Sequence, residues 1–588
     1  MKKSFPSVLS RGAALAISLA LLAGCGLPGG STQQPASSGS SQVSSLPAGS
    51  DSRREPAQAE LSGATVIRCS GTAVEITGSG AEYKNGTVTI QKGGTYSLSG
   101  SLTGSVLVNA KGEKVTLVLN GIAITCPDGS PLYVYKAEQA VIHVTAGTEN
   151  TLTDSAAYDM TKEYYSQTDE DPNACLYSKA DLVIEGAGSL TVNGLAGNGL
   201  TGKDTLELCD AVLTVNAKGH GINGKDSLLL DSANVTVTSG GDAIRSSKGS
   251  LTVNSGTVRV SAGDDGLHAE TDLTIHGGSI TVEKSYEGLE GETVTVNGGV
   301  IDITASDDGI NAAGSSESGM PGGFGAGGTQ GVSLTINGGT VTVRAGGDGL
   351  DSNGSLLIAG GMVAVFSTGN ADGALDSDGS LNITGGVVFA ADTGAMSAAP
   401  QNPTQGTAVF TVQSGLAAGE FLCLSVGETE YVVQMQTAAR CVVFSAPELK
   451  AGETLTVRSG GSTAGTENGA FRVGGSYTGG SELARLTLSD GLTGSAGGMG
   501  GFGGNRPGDG GTRPGNGGWW PGNGGGQQPG IGDGPGGEMP GGQQPGNGGQ
   551  WPGNGGQWPG SGEMPGGRGE GAPGFPGEPN PENPQQQV

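Results

Sequence analysis

Short runs of alternating apolar and polar residues fill the middle of the chain. In "LTIHGGSITV", which begins at Leu273, apolar residues alternate with polar ones on both sides of a Gly-Gly turn. A period of two residues is typical of a β-strand with one buried face. Similar units recur about every 22 residues, from "NGLTGKDTLELCDAVLTVNA" at Asn198 to "DGALDSDGSLNITGGVVFAA". The pattern predicts a repeat architecture in which each unit is one β-coil.

Stacked coils are expected to share one apolar core. A single coil cannot bury its apolar face alone, but a stack buries a continuous column, as in parallel β-helices. A β-sandwich is the alternative, although its strands need not keep one spacing with one residue type per position. We therefore predict an all-β parallel solenoid. Its core column is expected to contain Leu200, Ile222, Ile244, Leu267, Leu289, Ile310 and Leu350.

Composition divides the rest of the chain. Residues 25–60 are rich in Ser, Gly and Pro and predict a flexible tether before a solenoid at 61–392. Residues 393–485 lose the coil pattern and predict several strands of a small β-rich cap or satellite domain. In this domain Cys423 and Cys441 could pair. Residues 486–588 are a Gly/Pro/Gln/Trp low-complexity tail, predicted to be disordered, with possible cell-wall contacts through its tryptophans.

The N-terminus has the features of an export signal. Basic Lys2 and Lys3 precede an apolar stretch too short to span a bilayer stably, and residues 1–24 are followed by Cys25. The sequence "LAGC" resembles the bacterial lipobox, in which cleavage precedes a cysteine that is then acylated. An ordinary secretory signal with a chance cysteine is the alternative. Both interpretations place the protein outside the cytoplasm, and the first anchors it to the membrane by lipid.

Acidic residues recur at fixed positions of the coils. The residues before the repeated glycine are Asn198, His220, Asp242, Asp265, Glu287, Asp308, Asp348 and Asp372. Further acids near them are Asp264, Glu290, Asp307, Asp351 and Asp376. Neighbouring coils lie about 4.8 Å apart, so these side chains should form a ladder. Two unscreened carboxylates at that distance repel by roughly 3 kcal/mol at an effective dielectric of about 20. The ladder therefore predicts bound cations.

Calcium fits this ladder better than magnesium does. Calcium takes about six to eight oxygen ligands at about 2.3–2.6 Å in flexible geometry, whereas magnesium is smaller and strictly octahedral. We therefore predict several calcium ions as the cofactor. The alternative is a solvated acidic edge in which salt screening and raised pKa values suffice.

Several motifs resemble one bacterial surface family. They are "GGTYSLSGSL", "VTLVLNGIAIT", "GTENTLTD", "PNACLYSKADLVIEGAGSLTV", "GKDSL", "DDGINAA" and "GDGLDSNGSL". The segment from about Ala64 to Ala390 is thereby similar to carbohydrate-binding domain-containing proteins. The resemblance implies a right-handed parallel β-helix that binds calcium and plant-type polysaccharides such as pectin and cellulose. The resemblance also implies that calcium is bound by Asp264, Asp265, Asp307, Asp308, Asp348, Asp351 and Asn353.

The net charge and the candidate sugar-binding residues limit the classes of function that fit this sequence. The formal net charge of −27 opposes binding to nucleic acid or an anionic membrane surface. Calcium on the ladder could bridge the carboxylates of a polyuronate, with help from Arg245, Arg259 or Arg344. Tyr164 and Tyr165, in an insertion between coils, are further candidate sugar contacts.

The expected function is non-catalytic polysaccharide binding at the cell surface. The first alternative is a calcium-dependent polysaccharide lyase, in which Arg245, Lys248 or Lys284 would abstract a proton beside the metal. The second is a structural or adhesion protein in which calcium only makes the rod rigid.

Overall fold

The predicted parallel solenoid is confirmed. The computed structural model describes residues 62–161, 172–314, 328–401 and 403–494, and the elements named in these ranges are β-strands. No helix in these ranges is long and apolar enough to cross a membrane. The first strands are β1 (Thr65–Gly71), β2 (Ala73–Thr77), β3 (Ala81–Lys84), β4 (Thr87–Ile90), β5 (Gly94–Thr103), β6 (Ser105–Asn109), β7 (Lys114–Thr125), β8 (Leu132–Lys136), β9 (Gln139–Val144) and β10 (Glu149–Thr153).

The central coils contain strands of three to nine residues. They are β11 (Ala174–Ser178), β12 (Asp181–Glu185), β13 (Ser189–Gly194), β14 (Asn198–Gly202), β15 (Thr205–Cys209), β16 (Val212–Ala217), β17 (Ile222–Gly224), β18 (Ser227–Asp231), β19 (Ala233–Ser239), β20 (Ile244–Ser246), β21 (Ser250–Val253), β22 (Gly256–Ser261), β23 (Leu267–Ile275), β24 (Ser279–Ser285), β25 (Leu289–Val296), β26 (Val300–Ala305) and β27 (Ile310–Ala312).

The last coils are followed by a change to antiparallel pairing. The remaining strands are β28 (Ser333–Ile336), β29 (Thr340–Ala345), β30 (Leu350–Ser352), β31 (Ser355–Ile358), β32 (Met362–Ser367), β33 (Leu381–Ile383), β34 (Val387–Asp392), β35 (Thr407–Leu416), β36 (Phe421–Val426), β37 (Thr429–Gln434), β38 (Ala439–Ser445), β39 (Thr454–Thr463), β40 (Thr466–Asn468), β41 (Phe471–Val473), β42 (Tyr477–Thr487) and β43 (Leu492–Gly494).

Three parallel sheets form the sides of the solenoid, because each strand pairs with the strand one coil ahead. Sheet 1 contains β9, β12, β15, β18, β21, the second parts of β23 and β25, β28, β31 and β33. Sheet 2 contains β10, β13, β16, β19, β22, β24, β26, β29, β32 and β34. Sheet 3 contains β4, β6, β8, β11, β14, β17, β20, the first parts of β23 and β25, β27 and β30.

The predicted core column is present in sheet 3. Leu200 pairs in register with Ile222, and the pairing continues coil by coil to Leu350. These side chains are fully buried. Burial of each side chain stabilises the fold by about 1.5–3 kcal/mol, and the same position repeats in every coil. The stack therefore provides the continuous core that no single coil could form.

The C-terminal strands cover one end of the solenoid and part of sheet 2. Strand β38 pairs antiparallel with β34 and β35, and β36, β37 and β39–β42 form a six-stranded sheet. That sheet contacts the outer face of sheet 2, where the backbone N–H of Ala470 donates to Thr342 Oγ1 at 3.2 Å. Cys423 lies in β36 and Cys441 in β38, and both thiols are free. The suggested pairing of these cysteines is therefore wrong.

The repeated glycine allows neighbouring coils to approach at the corner between sheets 2 and 3. A Cβ added to Gly309 would lie 2.1 Å from Val343 Cγ1 and 2.5 Å from the Gly349 carbonyl oxygen. Such contacts force neighbours to move, and overpacking costs about 1–3 kcal/mol. Ala243 occupies the equivalent position in another coil and is buried without disrupting the pairing of β20.

We expect Gly309→Ala to lower the free energy of unfolding by about 1–3 kcal/mol. Chemical denaturation of the purified protein measures the change, and Ala243→Gly is the control at the same coil position. The steric explanation is contradicted if Gly309→Ala unfolds at the wild-type denaturant concentration.

Candidate functional site

Two columns of polar side chains face each other at the corner between sheets 2 and 3. The ladder column lies two residues before each core residue and contains Asn198, His220, Asp242, Asp265, Glu287, Asp308, Asp348 and Gly373. The partner column lies one residue after each core residue and contains Thr201, Asn223, Arg245, His268, Glu290, Asn311, Asp351 and Asp376. Contacts three residues apart join them, such as Arg245 Nη1 to Asp242 Oδ2 at 2.9 Å.

The ladder column links successive coils by hydrogen bonds. Asp308 Oδ1 accepts from the backbone N–H of Asp348 at 2.7 Å, and Asp348 Oδ1 accepts from Gly373 at 2.6 Å. His220 and Asn198 depart from the acidic pattern but do the same, because Asn198 Oδ1 accepts from the backbone N–H of His220 at 3.0 Å. Six of the eight ladder residues accept a hydrogen bond of this kind, so part of the acid repeat is explained without any cation.

Asp372 is displaced from the ladder column. Leu350 pairs with Leu375, 25 residues later, whereas the earlier spacing is about 22. This register places Gly373 in the ladder position, and Gly373 receives the hydrogen bond to Asp348. The extra residues in "GNADGALDSDG" shift the register, and the alignment of Asp372 with the ladder is corrected accordingly.

The middle of the two columns is a mixed-charge zone that contains its own cations. Burial raises the pKa of Asp242, but His220 and Arg245 outweigh it, so this pKa lies below its ordinary value. Burial would lower the pKa of His268, yet hydrogen bonds from its ring to Asp265 and Glu290 raise it to about 10. His268 is therefore protonated at neutral pH and compensates these carboxylates.

Glu287 has no cationic side chain paired with it in the described ranges, and His268 compensates Asp265 only in part. Burial, followed by the charge of Glu290, raises the pKa of Glu287 to about 8. Burial also raises the pKa of Asp265 to about 6. Carboxylate oxygens of Asp265, Glu287 and Glu290 lie within 4.8 Å of one another. A cation at this group would compete with His268 for the same oxygens.

The last coils form an acidic zone, defined here as Asp308, Asp348, Asp351 and Asp376. Burial, followed by neighbouring carboxylates, raises the pKa of Asp308 to about 6 and those of Asp348 and Asp351 to about 7. Carboxylate oxygens of Asp348, Asp351 and Asp376 lie within 4.8 Å of one another. The ion pairs found in the described ranges include none of these four residues.

Asn311 adds a neutral oxygen beside the acidic zone. It pairs in register with Asp351 and is 8% exposed. Its Nδ2 donates to Glu287 Oε2 at 3.1 Å, while its Oδ1 is buried without a hydrogen-bond partner. The amide oxygen lies opposite the nitrogen that bonds to Glu287, so it is directed away from that carboxylate. Carboxylate and amide oxygens are the ligands that calcium prefers, so these residues fit calcium.

The other predicted ligands lie around these zones. Asp264 and Asp307 each precede a ladder residue and flank Tyr286 in neighbouring coils. Asn353 lies two residues beyond Asp351, and its backbone N–H donates to the Ala312 carbonyl at 2.9 Å.

The predicted sugar contacts do not converge. Arg245 is engaged by Asp242 in the mixed-charge zone. Arg259 pairs with Glu283 and Arg344 with Asp302, and both arginines lie on sheet 2. Tyr164, Tyr165 and the predicted lipidation site Cys25 lie outside the described residues.

The acidic zone makes the metal-free protein sensitive to pH. The raised pKa values mean that protonated Asp308, Asp348 and Asp351 favour the folded state below about pH 4, and this contribution is lost as pH rises through about 6 to 7. We expect the melting temperature of chelator-treated protein to fall between about pH 4.5 and about pH 7.5. Thermal unfolding at a series of pH values measures it. A melting temperature that rises steadily over this interval contradicts the assignment.

The fold and this corner define a class: a parallel β-solenoid with an oxygen-rich acidic cluster at one edge. Residues 84–331 match the family model described as "Carbohydrate-binding domain-containing protein". A protein of the same description from Acetivibrio thermocellus is 38% identical over 132 residues, which are 22% of this chain and 45% of the relative. The matching part spans less than half of that relative. The resemblance inferred from the motifs is confirmed for this part of the chain.

One solved structure is also similar. It is described as "Structure of the polysaccharide lyase-like protein from C. thermocellum, Gadolinium derivative". It is 22% identical, with a TM-score of 0.30, and the similarity covers 55% of this chain and 97% of the other.

Proposed function

We propose that this protein binds an acidic polysaccharide through calcium held at the acidic zone, and that it does not cleave the polymer. The observation that carries the proposal is the convergence of Asp348, Asp351 and Asp376 without a cationic side chain paired to them in the described ranges. The family match to residues 84–331 supports carbohydrate binding as the general function.

Calcium would supply the positive charge that this corner lacks. Asp348, Asp351 and Asp376 would hold it, with Asn311 Oδ1 as a neutral ligand. Calcium takes about six to eight oxygens, and these four side chains fill four positions if each binds through one oxygen, so further positions remain for water or for carboxylates of a ligand. A polyuronate carries one carboxylate on each sugar and is suited to such bridging.

The contacts of Arg245, one of the three candidate bases, make it unsuited to the chemistry of a lyase. A lyase needs an Arg or Lys side chain that can lose its own proton and then act as a base beside the metal. Arg245, the candidate base on the partner column, donates to Asp242 Oδ2 at 2.9 Å and lies 3.2 Å from His220 Nε2. Its guanidinium is therefore part of a structural ion pair, and its departure would leave the buried Asp242 with only His220 to compensate its charge.

Retention on immobilised polygalacturonate tests the proposal, with the full mature chain in calcium or in chelator. We expect retention in calcium and loss of it in chelator, and no unsaturated, ultraviolet-absorbing product after prolonged incubation. Absence of retention in calcium contradicts the binding function. Accumulation of unsaturated product would instead establish the lyase alternative.

The proposal places the protein at the cell surface, anchored by a lipid on Cys25. The support is the "LAGC" sequence that ends at this cysteine. Detergent-phase partitioning of the expressed protein tests the anchor. The wild type should enter the detergent phase and Cys25→Ala should not, whereas equal partitioning contradicts acylation of this residue.

A further inference from the structure

Tyr286 is the aromatic side chain most open to solvent in the described part of the chain, with 50% of its surface exposed. It lies at the corner between sheets 2 and 3, directly before the ladder residue Glu287. Its backbone N–H donates to the Asp264 carbonyl at 2.7 Å, and its carbonyl accepts from the Asp307 N–H at 3.0 Å. These bonds fix Tyr286 between two acids of the neighbouring coils.

The neighbouring Asp307 carboxylate raises the pKa of the Tyr286 phenol. Two hydrogen bonds fix the backbone of Tyr286, so little backbone entropy is lost when a ligand stacks on the ring. Tyrosine also combines an apolar face with a polar tip, which suits a sugar ring with its own apolar face and hydroxyl edge.

Lys284 and Tyr286 are both exposed beside a β-bulge in β24. The register of β24 shifts against both β22 and β26 in the segment before Tyr286. Glu283 and Lys284 are both exposed, Ser285 is buried, and Tyr286 is exposed again. Tyr286 directly follows the last residue of β24, and one residue separates it from Lys284. In the described ranges Lys284 forms no ion pair, unlike Arg259, which pairs with Glu283.

We infer that Tyr286 and Lys284 form a subsite for one uronate unit of a bound acidic polysaccharide. The sugar ring stacks on Tyr286, and its carboxylate pairs with the Lys284 ammonium. The carboxylates of Asp264 and Asp307, beside Tyr286, accept hydrogen bonds from the sugar hydroxyls. The inference rests on the proposed function and adds the residues that recognise the sugar itself. A single aromatic platform suits one unit of a soluble chain rather than a flat crystalline surface.

Titration calorimetry with polygalacturonate, in saturating calcium, tests the subsite on the full mature chain. Loss of an aromatic stacking contact lowers affinity by about tenfold, and we expect Tyr286→Ala to weaken polymer binding by that factor. Tyr286→Phe keeps the ring and should bind within about twofold of the wild type. Lys284→Gln should weaken binding of polygalacturonate by about threefold at low salt and leave binding of its neutral methyl ester unchanged.

Two controls separate this subsite from general effects. Leu195, 48% exposed, lies four coils away at the same corner, and Lys248 is an exposed lysine at another corner. Leu195→Ala and Lys248→Gln should bind as the wild type does, and all variants should keep its calcium content. If the wild type binds and Tyr286→Ala binds equally well, the subsite is wrong. If the wild type binds no polymer, the proposed function itself fails.

Discussion

Replacement of Asp348 and Asp351 together by asparagine is expected to remove the calcium-dependent part of the thermal stability. A ligand present at about 100 times its dissociation constant stabilises the folded state by about 2.7 kcal/mol. For domains of 150–250 residues this corresponds to a shift of roughly 5–10 °C in melting temperature, and for this larger fold we expect a shift of a few degrees. The double variant keeps oxygen atoms at both positions but loses two negative charges, so calcium affinity should fall steeply.

The same double variant should be more stable than the wild type when both are free of metal. Burial and mutual repulsion raise the pKa of Asp348 and Asp351 to about 7, so ionising them at pH 7.5 costs stability. An asparagine at 348 can still accept the hydrogen bond from the Gly373 N–H. The sign of the effect therefore reverses between calcium and chelator.

Differential scanning calorimetry at pH 7.5, in calcium and in chelator, measures both effects. The matched control is Glu283→Gln, which removes a charge from sheet 2 outside the two columns. It should retain the full calcium shift. A double variant with an undiminished calcium shift would show that the ion binds elsewhere.

His268→Gln is expected to produce the second large effect, a loss of about 3 kcal/mol in the free energy of unfolding without calcium. His268 contacts Asp265 Oδ2 at 3.2 Å and also pairs with Glu290. Its pKa is raised to about 10, so its proton stabilises the fold fully below about pH 6.5 and that contribution is lost as pH rises through about 10. In His268→Gln the free energy of unfolding should not show this loss at high pH.

Removal of His268 should also create a new dependence on calcium. Asp265, Glu287 and Glu290 would form an uncompensated group whose oxygens lie within 4.8 Å of one another. Denaturant unfolding in calcium and in chelator should therefore show a larger calcium effect in His268→Gln than in the wild type. His276→Gln is the control, because His276 is an exposed histidine that contacts Asn297 on another edge. An unchanged calcium effect in His268→Gln would contradict the proposed balance between histidine and metal.

The solenoid could be predicted from the sequence because its core repeats one residue type at one spacing. Leu267, Leu289 and Ile310 occupy one register position in the structure, as their spacing of 21 or 22 residues indicates. Backbone pairing between coils requires this regularity, so the fold is visible in a single sequence.

The chemistry of the corner was only partly predictable. The ladder acids could be recognised by their positions. Their hydrogen bonds to the next coil could not, because the donors are backbone N–H groups, which every residue type except proline has. Asn311 and His268 were missed as members of the site because they interrupt the acidic pattern, although each has the ladder spacing relative to Glu290. Tyr286 depends on a bulge in β24, which changes one coil alone.

The number of calcium ions bound per chain is the most direct test of a calcium site in the acidic zone. Equilibrium dialysis of the mature wild type and of the Asp348→Asn, Asp351→Asn double variant at pH 7.5 would count the ions. We expect the wild type to bind at least one calcium ion that the double variant does not bind. A wild type that binds no calcium, or a double variant that binds as much as the wild type, would contradict a calcium site at Asp348, Asp351 and Asp376.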